Sequence, residues 1–369
     1  MEPTEELYIA TAAARSRRRG LLLGVAIGVG LSTVVLRRQL AALAARAVPY
    51  VRRRSQVSSP ALIVNRWSGG GKAVQFGLAD KAAEAGIRVI MLERGDDIVE
   101  LARDAVEAGA DAIGAAGGDG SLGLIAGVAV EADVPFFCVP VGTRNHFALD
   151  LGLDRDDPLA ALDAIRDGDE LLIDYCTAGD RPFLNNVSFG VYAEAVHRDE
   201  YRDNKGQTMV EVMNEMQADD DRVSSIRFTT PEGDHVEQTA MTLVSNNPYV
   251  SSGPPDFGRR LRLDSGTMGV SAVGRGTAAD GTAGQGARQW ETDRLVLDSD
   301  GPILAGLDGE AVVFESPLEL AIRPQALRVL VPAGVKPGYV PPGEVIAMEL
   351  IGLARLGGVP GLDGLSAVT

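Results

Sequence analysis

Between residues 60 and 140, short, mainly apolar runs alternate with stretches whose apolar residues recur every three or four positions. The runs Ala61–Asn65, Ile87–Leu92, Ala112–Ala116 and Phe136–Val139 predict strands. A turn at Trp67–Gly71 leads into a helical stretch ending near Ala85. A second helix is expected over Asp96–Ala108, with Ile98, Leu101, Ala102, Ala105 and Val106 on one face, and a third over Leu122–Val130. Strands alternating with helices imply a parallel sheet with crossover helices. Ligands of such sheets sit at the loops beyond the carboxyl ends of the strands. The glycines of this chain cluster in those loops.

After about Leu171 the pattern turns to strands. Arg222–Thr230 and Val236–Ser245 read as a hairpin around Pro231-Glu232-Gly233-Asp234. Further strands are expected at Met268–Val273, Arg294–Leu297, Glu310–Phe314 and Leu318–Ile322, and helices at Gly206–Gln217 and Glu344–Leu356. Gly274–Gly286 reads as a mobile loop.

Charge changes the picture at the amino terminus. Residues 1–54 carry ten arginines against Glu2, Glu5 and Glu6, whereas the whole chain has a net charge of −16. An acidic body excludes nucleic acid as a partner, because phosphate backbones need clustered Lys and Arg. Gly20–Leu36 is free of charge and fenced by Arg15, Arg17, Arg18 and Arg19 on one side and Arg37 and Arg38 on the other. Seventeen helical residues would cover about 25 Å, slightly less than a hydrocarbon core, and arginines at both ends can snorkel. Residues 1–58 are therefore expected to anchor the protein at the cell membrane, single-pass or peripheral. The basic arm would lie on an anionic surface and the body in the cytoplasm. Cys138 and Cys176 sit in apolar stretches, which predicts buried free thiols. His146, His197 and His235 lack metal-site spacing.

Three strand-end loops carry the candidate chemistry. Asn65-Arg66-Trp67-Ser68-Gly69-Gly70-Gly71-Lys72 places small residues, a hydroxyl and a lysine before a helix, where free N–H groups favour anions. It is not a Walker A loop, since Ala73 stands where a magnesium-holding hydroxyl would be. Gly117-Gly118-Asp119-Gly120-Ser121 allows close backbone approach to polyphosphate, with Ser121 as cap of the next helix. Among phosphate-facing amides, Asp119 would repel the ligand unless a cation bridges them, which points to Mg²⁺ and a nucleotide. An ordinary glycine turn accounts for the same residues equally well. The third loop, Pro140–Phe147, offers Gly142, Thr143 and Asn145.

In this order and spacing, the segments Asn65–Lys72, Gly117–Ser121, Gly142–Phe147, Phe183-Leu184-Asn185-Asn186-Val187-Ser188-Phe189-Gly190 and Asp308-Gly309-Glu310 resemble the diacylglycerol kinase catalytic-domain family. The branch is that of bacterial lipid kinases related to sphingosine kinases. The resemblance runs from about Pro60 to Pro332. It implies an α/β fold: a Rossmann-like nucleotide-binding domain over residues 59–172, completed by about 320–369, and a β-sandwich lipid-acceptor domain over 173–319. It further implies ATP lying across the three glycine-rich loops with Mg²⁺. The lipid hydroxyl would be activated by Glu310, the match to the family's usual base, with Asp308 beside it. The chain departs from the family at His146, where Asp is common, and at Met91, where Thr is common. It also departs at Ser265, in place of a ligand of a structural magnesium held by some bacterial members.

The reaction expected is transfer of the γ-phosphate to a membrane lipid such as diacylglycerol. Two competing readings are a soluble-metabolite kinase of the NAD-kinase type, which shares Gly-Gly-Asp-Gly, and a membrane-tethered nucleotide- or lipid-binding protein without catalysis. The lipid and the oligomeric state are not legible.

Overall fold

The run Pro60–Val64 is buried along its whole length, as expected of a strand covered on both faces of a parallel sheet. In the computed structural model it pairs in parallel with Arg88–Met91 on one side and Ala112–Gly117 on the other. Ala112–Gly117 then pairs in parallel with Phe136–Pro140. The structure describes residues 50–338 apart from residues 51, 55, 199–225, 238, 250–259, 261, 275, 278–282 and 285–286. The expected anchor, the helices at Gly206–Gln217 and Glu344–Leu356 and part of the glycine-rich loop after Gly274 lie outside those residues. Among the described residues no helix is long and apolar enough to cross a membrane.

The sheet does not end at Phe136–Pro140. The strand Leu318–Val331 joins it in parallel, with Val329 opposite Phe136, and pairs antiparallel with Asp169–Ala178 on its other side. The strand expected over Leu318–Ile322 thus runs on to Val331, past Pro324, which lacks an N–H for the ladder. The chain absorbs the proline in a register shift between Arg323 and Leu327, with Gln325 at φ 52°. The buried Asp174 carboxylate holds the kink by accepting the Gln325 N–H at 2.9 Å. At this kink both strands pass from one core to another. Ile173, Leu327 and Val329 lie in the core under the parallel sheet. Cys176, Ala178, Leu318, Leu320 and Ile322 lie in a second core with Val187, Phe189, Val244 and Val270.

That second core is roofed by a six-stranded antiparallel sheet. Its order is Ala287–Thr292, Met268–Gly274, Thr239–Ser245, Asn186–Gly190, Ile303–Leu307, Glu310–Phe314. The expected hairpin is only partly formed. Phe228–Thr229 pairs with His235–Val236 around the predicted turn, but Thr239–Ser245 leaves it to pair with Asn186–Gly190 and Met268–Gly274. The first expected helix is broken into Lys72–Gln75 and Leu78–Glu84 by Gly77 at φ 60°. All of this lies in one compact unit, Tyr50–Tyr339.

Candidate active site

The helix after the second glycine loop begins earlier than its apolar periodicity suggests, spanning Asp119–Ala132. Gly118 is its N-cap in extended conformation, and no side chain caps it, so Ser121 lies inside the helix and is not its cap. The first-turn amides of this long helix, uncapped by any side chain, make its amino end a place for anionic groups. Gly118, Asp119, Gly120 and Ser121 all line a cleft of about 260 Å³.

Glycine at 142 is required by contact with this helix start. A Cβ on Gly142 would overlap Gly118 Cα, and one on Gly69 would overlap the Val141 carbonyl. Part of the glycine content thus lets the loops pack on one another rather than on a ligand. Asn145 closes the third loop on itself. Its Oδ1 accepts the Gly142 N–H at 3.0 Å and its Nδ2 donates to the Gly142 carbonyl at 2.8 Å. It is buried at φ 52°.

Asp119 joins the second loop to the third. Its two carboxylate oxygens accept the backbone N–H groups of His146 (3.1 Å) and Phe147 (3.2 Å), the first residues of helix His146–Asp150. His146 stands on the cleft wall. Desolvation there lowers its imidazole pKa, against the pull of the Asp119 and Asp150 carboxylates.

Asp308 and Glu310 arrive from the six-stranded antiparallel sheet, on the turn between Ile303–Leu307 and Glu310–Phe314. Asp308 sits at φ 49° and accepts three backbone N–H groups, from Leu184 (2.8 Å), Asn185 (2.8 Å) and Asn186 (3.0 Å). Burial pushes its carboxyl up to about 7, against these three N–H donors and with the Asp119 charge adding to the rise. The turn packs directly on the helix start. A Cβ on Gly120 would stand 3.1 Å from Glu310 Cγ, and one on Gly123 would stand 3.4 Å from Asp308 Oδ2.

Of the residues singled out by sequence, Asn65, Ser68, Gly118, Asp119, Gly120, Ser121, Thr143, Asp308 and Glu310 share this cleft. Gly69, Gly117, Gly142 and Asn145 stand behind its wall as loop-packing residues. Lys72 Nζ donates to the Arg155 carbonyl at 3.3 Å and is not part of the lining. Arg144, inside the third loop, lines the cleft as well, and Tyr192 and Tyr249 join it without any signal in the sequence, because separate elements bring them there. The Tyr249 hydroxyl accepts from Asn186 Nδ2 at 3.0 Å. Cys138 and Cys176 are buried free thiols, as expected.

The sequence of residues 59–178 matches the family model described as the diacylglycerol kinase catalytic domain. A diacylglycerol kinase of Mycobacterium tuberculosis is 33% identical over 120 residues, 31% of this chain and 39% of the relative. A probable lipid kinase, YegS-like, of Chromohalobacter salexigens is 36% identical over 120 residues, 31% of this chain and 38% of the relative. The matched stretch thus spans about two-fifths of these relatives. The solved structure of a putative diacylglycerol kinase from Bacillus anthracis str. Sterne superposes with a TM-score of 0.60 at 17% identity, covering 77% of this chain and 98% of that one. At that identity the likeness is one of fold. Over residues 59–178 the chain carries the diacylglycerol kinase catalytic-domain signature in its sequence, and its likeness to a solved putative diacylglycerol kinase covers 77% of its length by fold.

Proposed function

We propose that this protein is an ATP-dependent lipid kinase that phosphorylates a hydroxyl of a membrane lipid such as diacylglycerol. The observation that supports this most is the meeting of Asp119, Asp308 and Glu310, from chain segments nearly 200 residues apart, at the amino end of helix Asp119–Ala132. The nucleotide phosphates would lie against the first-turn amides of that helix and the loops holding Asn65, Ser68 and Thr143. Glu310, against Gly120, is placed to accept the proton of an acceptor hydroxyl as it attacks the γ-phosphorus. Asp308 acts as a positioning residue, since its oxygens hold three amides.

Among the described residues no three acidic, histidine or cysteine side chains gather as a metal site. Asp119 nevertheless fits as a single protein ligand, because two accepted N–H bonds leave lone pairs on its carboxylate. Mg²⁺ carried by ATP would neutralise phosphate charge in this place. Membrane attachment through residues 1–58 and a cytoplasmic body belong to the same proposal, motivated by the basic arm.

The test is incubation of the full chain with γ-labelled ATP and Mg²⁺ over a total lipid extract, with Glu310→Gln in parallel. A labelled lipid that falls by about 10²–10⁴-fold in the variant is the expected result for loss of a general base. Label passing instead to a soluble metabolite, or no transfer by a folded wild-type protein, would overturn the reading.

A further inference from the structure

Arg260 is fully buried, at 0% exposure, and belongs to none of the glycine loops or the Asp-Gly-Glu turn. Its guanidinium makes four hydrogen bonds to three different segments. Nε donates to Asp150 Oδ2 at 2.6 Å, on the helix whose first amides bind Asp119. Nη1 donates to the carbonyls of Leu184 and, at 2.8 Å, Asn246. Nη2 donates to Asn185 Oδ1 at 2.9 Å. Leu184 and Asn185 are in turn two of the three residues whose amides hold Asp308.

These bonds form a continuous path between the two acidic motifs. It runs from Asp119 through the His146 and Phe147 amides and helix His146–Asp150 to Asp150, then through Arg260 to Leu184 and Asn185, and finally to Asp308. The turn Asp308–Glu310 returns to the start by packing against Gly120 and Gly123. Arg260 is the cation in this ring, and the guanidinium fork matches its geometry. Its partners lie in different directions, and a lysine ammonium could not reach them together. Removing a charge from such a place leaves Asp150 buried and unpaired.

We infer that Arg260 is a positioning residue that sets the separation of Asp119 and Glu310 across the cleft, by tying helix His146–Asp150 to the 184–186 segment that holds Asp308. The inference rests on the kinase reading above for its catalytic consequence, but the tie itself does not. A misplacement of about 1 Å at a reacting centre costs roughly 10²-fold in rate.

The test uses the full chain and the pair variant Arg260→Met/Asp150→Leu, which removes both charges together so that the fold is kept. In the folded variant kcat for lipid phosphorylation is expected to fall about 10²-fold while KM for ATP stays within about threefold. Amide hydrogen exchange is expected to quicken at residues 146–147 and 184–186 together, with the strand Ala112–Gly117 unchanged. Either a wild-type kcat or unaltered exchange at those two segments, in a folded variant, overturns the inference. If the pair variant does not fold, Arg260→Lys, which keeps the charge and loses the fork, carries the same two readouts. If the wild-type protein phosphorylates no lipid, the kinase reading falls, and exchange at the two segments alone decides on the tie.

Discussion

At the scale of single residues, the cleft holds two acids that bind the backbone and a third, Glu310, that the proposed reaction uses as its base. Asp119 and Asp308 each use both oxygens on main-chain N–H groups, while Glu310 projects from an exposed turn against the helix start. Asp308 has a consequence for pH. Its folded-state pKa, raised to about 7 mainly by burial, lies above that of the unfolded chain, so between about pH 4 and 7 the folded state binds more protons. The stability it contributes is present at low pH and is lost as pH rises through 7, by at most about 1.4 kcal/mol per pH unit. Urea unfolding of wild type and Asp308→Asn across this range should show the slope in the difference between them; a pH-independent difference would exclude the titration. The Asp-Gly-Glu motif was legible only through its resemblance to a family. Three residues in a turn carry no sign of the three amides, from residues 184–186, that Asp308 binds.

At the scale of elements, the loops depend on backbone contact. Gly142 and Gly118 meet with no room for a side chain between them. Gly142→Ala should destabilise the protein by about 1–3 kcal/mol, the usual cost of overpacking, and weaken nucleotide binding. Thermal melts and calorimetric titration with ATP would measure both, and an alanine variant with unchanged melting and affinity would exclude the contact as a constraint. Strands were legible where both faces are buried, as in Pro60–Val64, because a continuous apolar run is itself the signal. Helix Asp119–Ala132 starts before its apolar face does, so periodicity placed its first turn in the loop. The continuation of the last strand from Ile322 to Val331 was not legible, since the buried Asp174 that holds the kink after Pro324 lies some 150 positions away.

At the scale of the whole molecule, two of the hydrophobic cores share the paired strands Asp169–Ala178 and Leu318–Val331, and each of these two contains one thiol, Cys138 in the first and Cys176 in the second. Burial raises both thiol pKa values well above the ordinary range. Both cysteines are therefore expected to resist an aromatic disulfide reagent in the native protein and to react together on unfolding in urea. Two labelling transitions at different urea concentrations would show instead that the cores unfold separately, despite the strands they share. By itself the sequence determined the parallel strand–helix order, the strand-rich second half, the buried cysteines and the three loops, because hydrophobic period and glycine clustering are local properties. Only the tertiary structure decided which glycines face the cleft and which face one another. It also decided that Lys72 turns towards Arg155 and that Tyr192 and Tyr249 join the cleft lining. The Arg260 tie between the acidic motifs was likewise settled there. These outcomes depend on pairings between residues tens to hundreds of positions apart, and no local pattern encodes such distances.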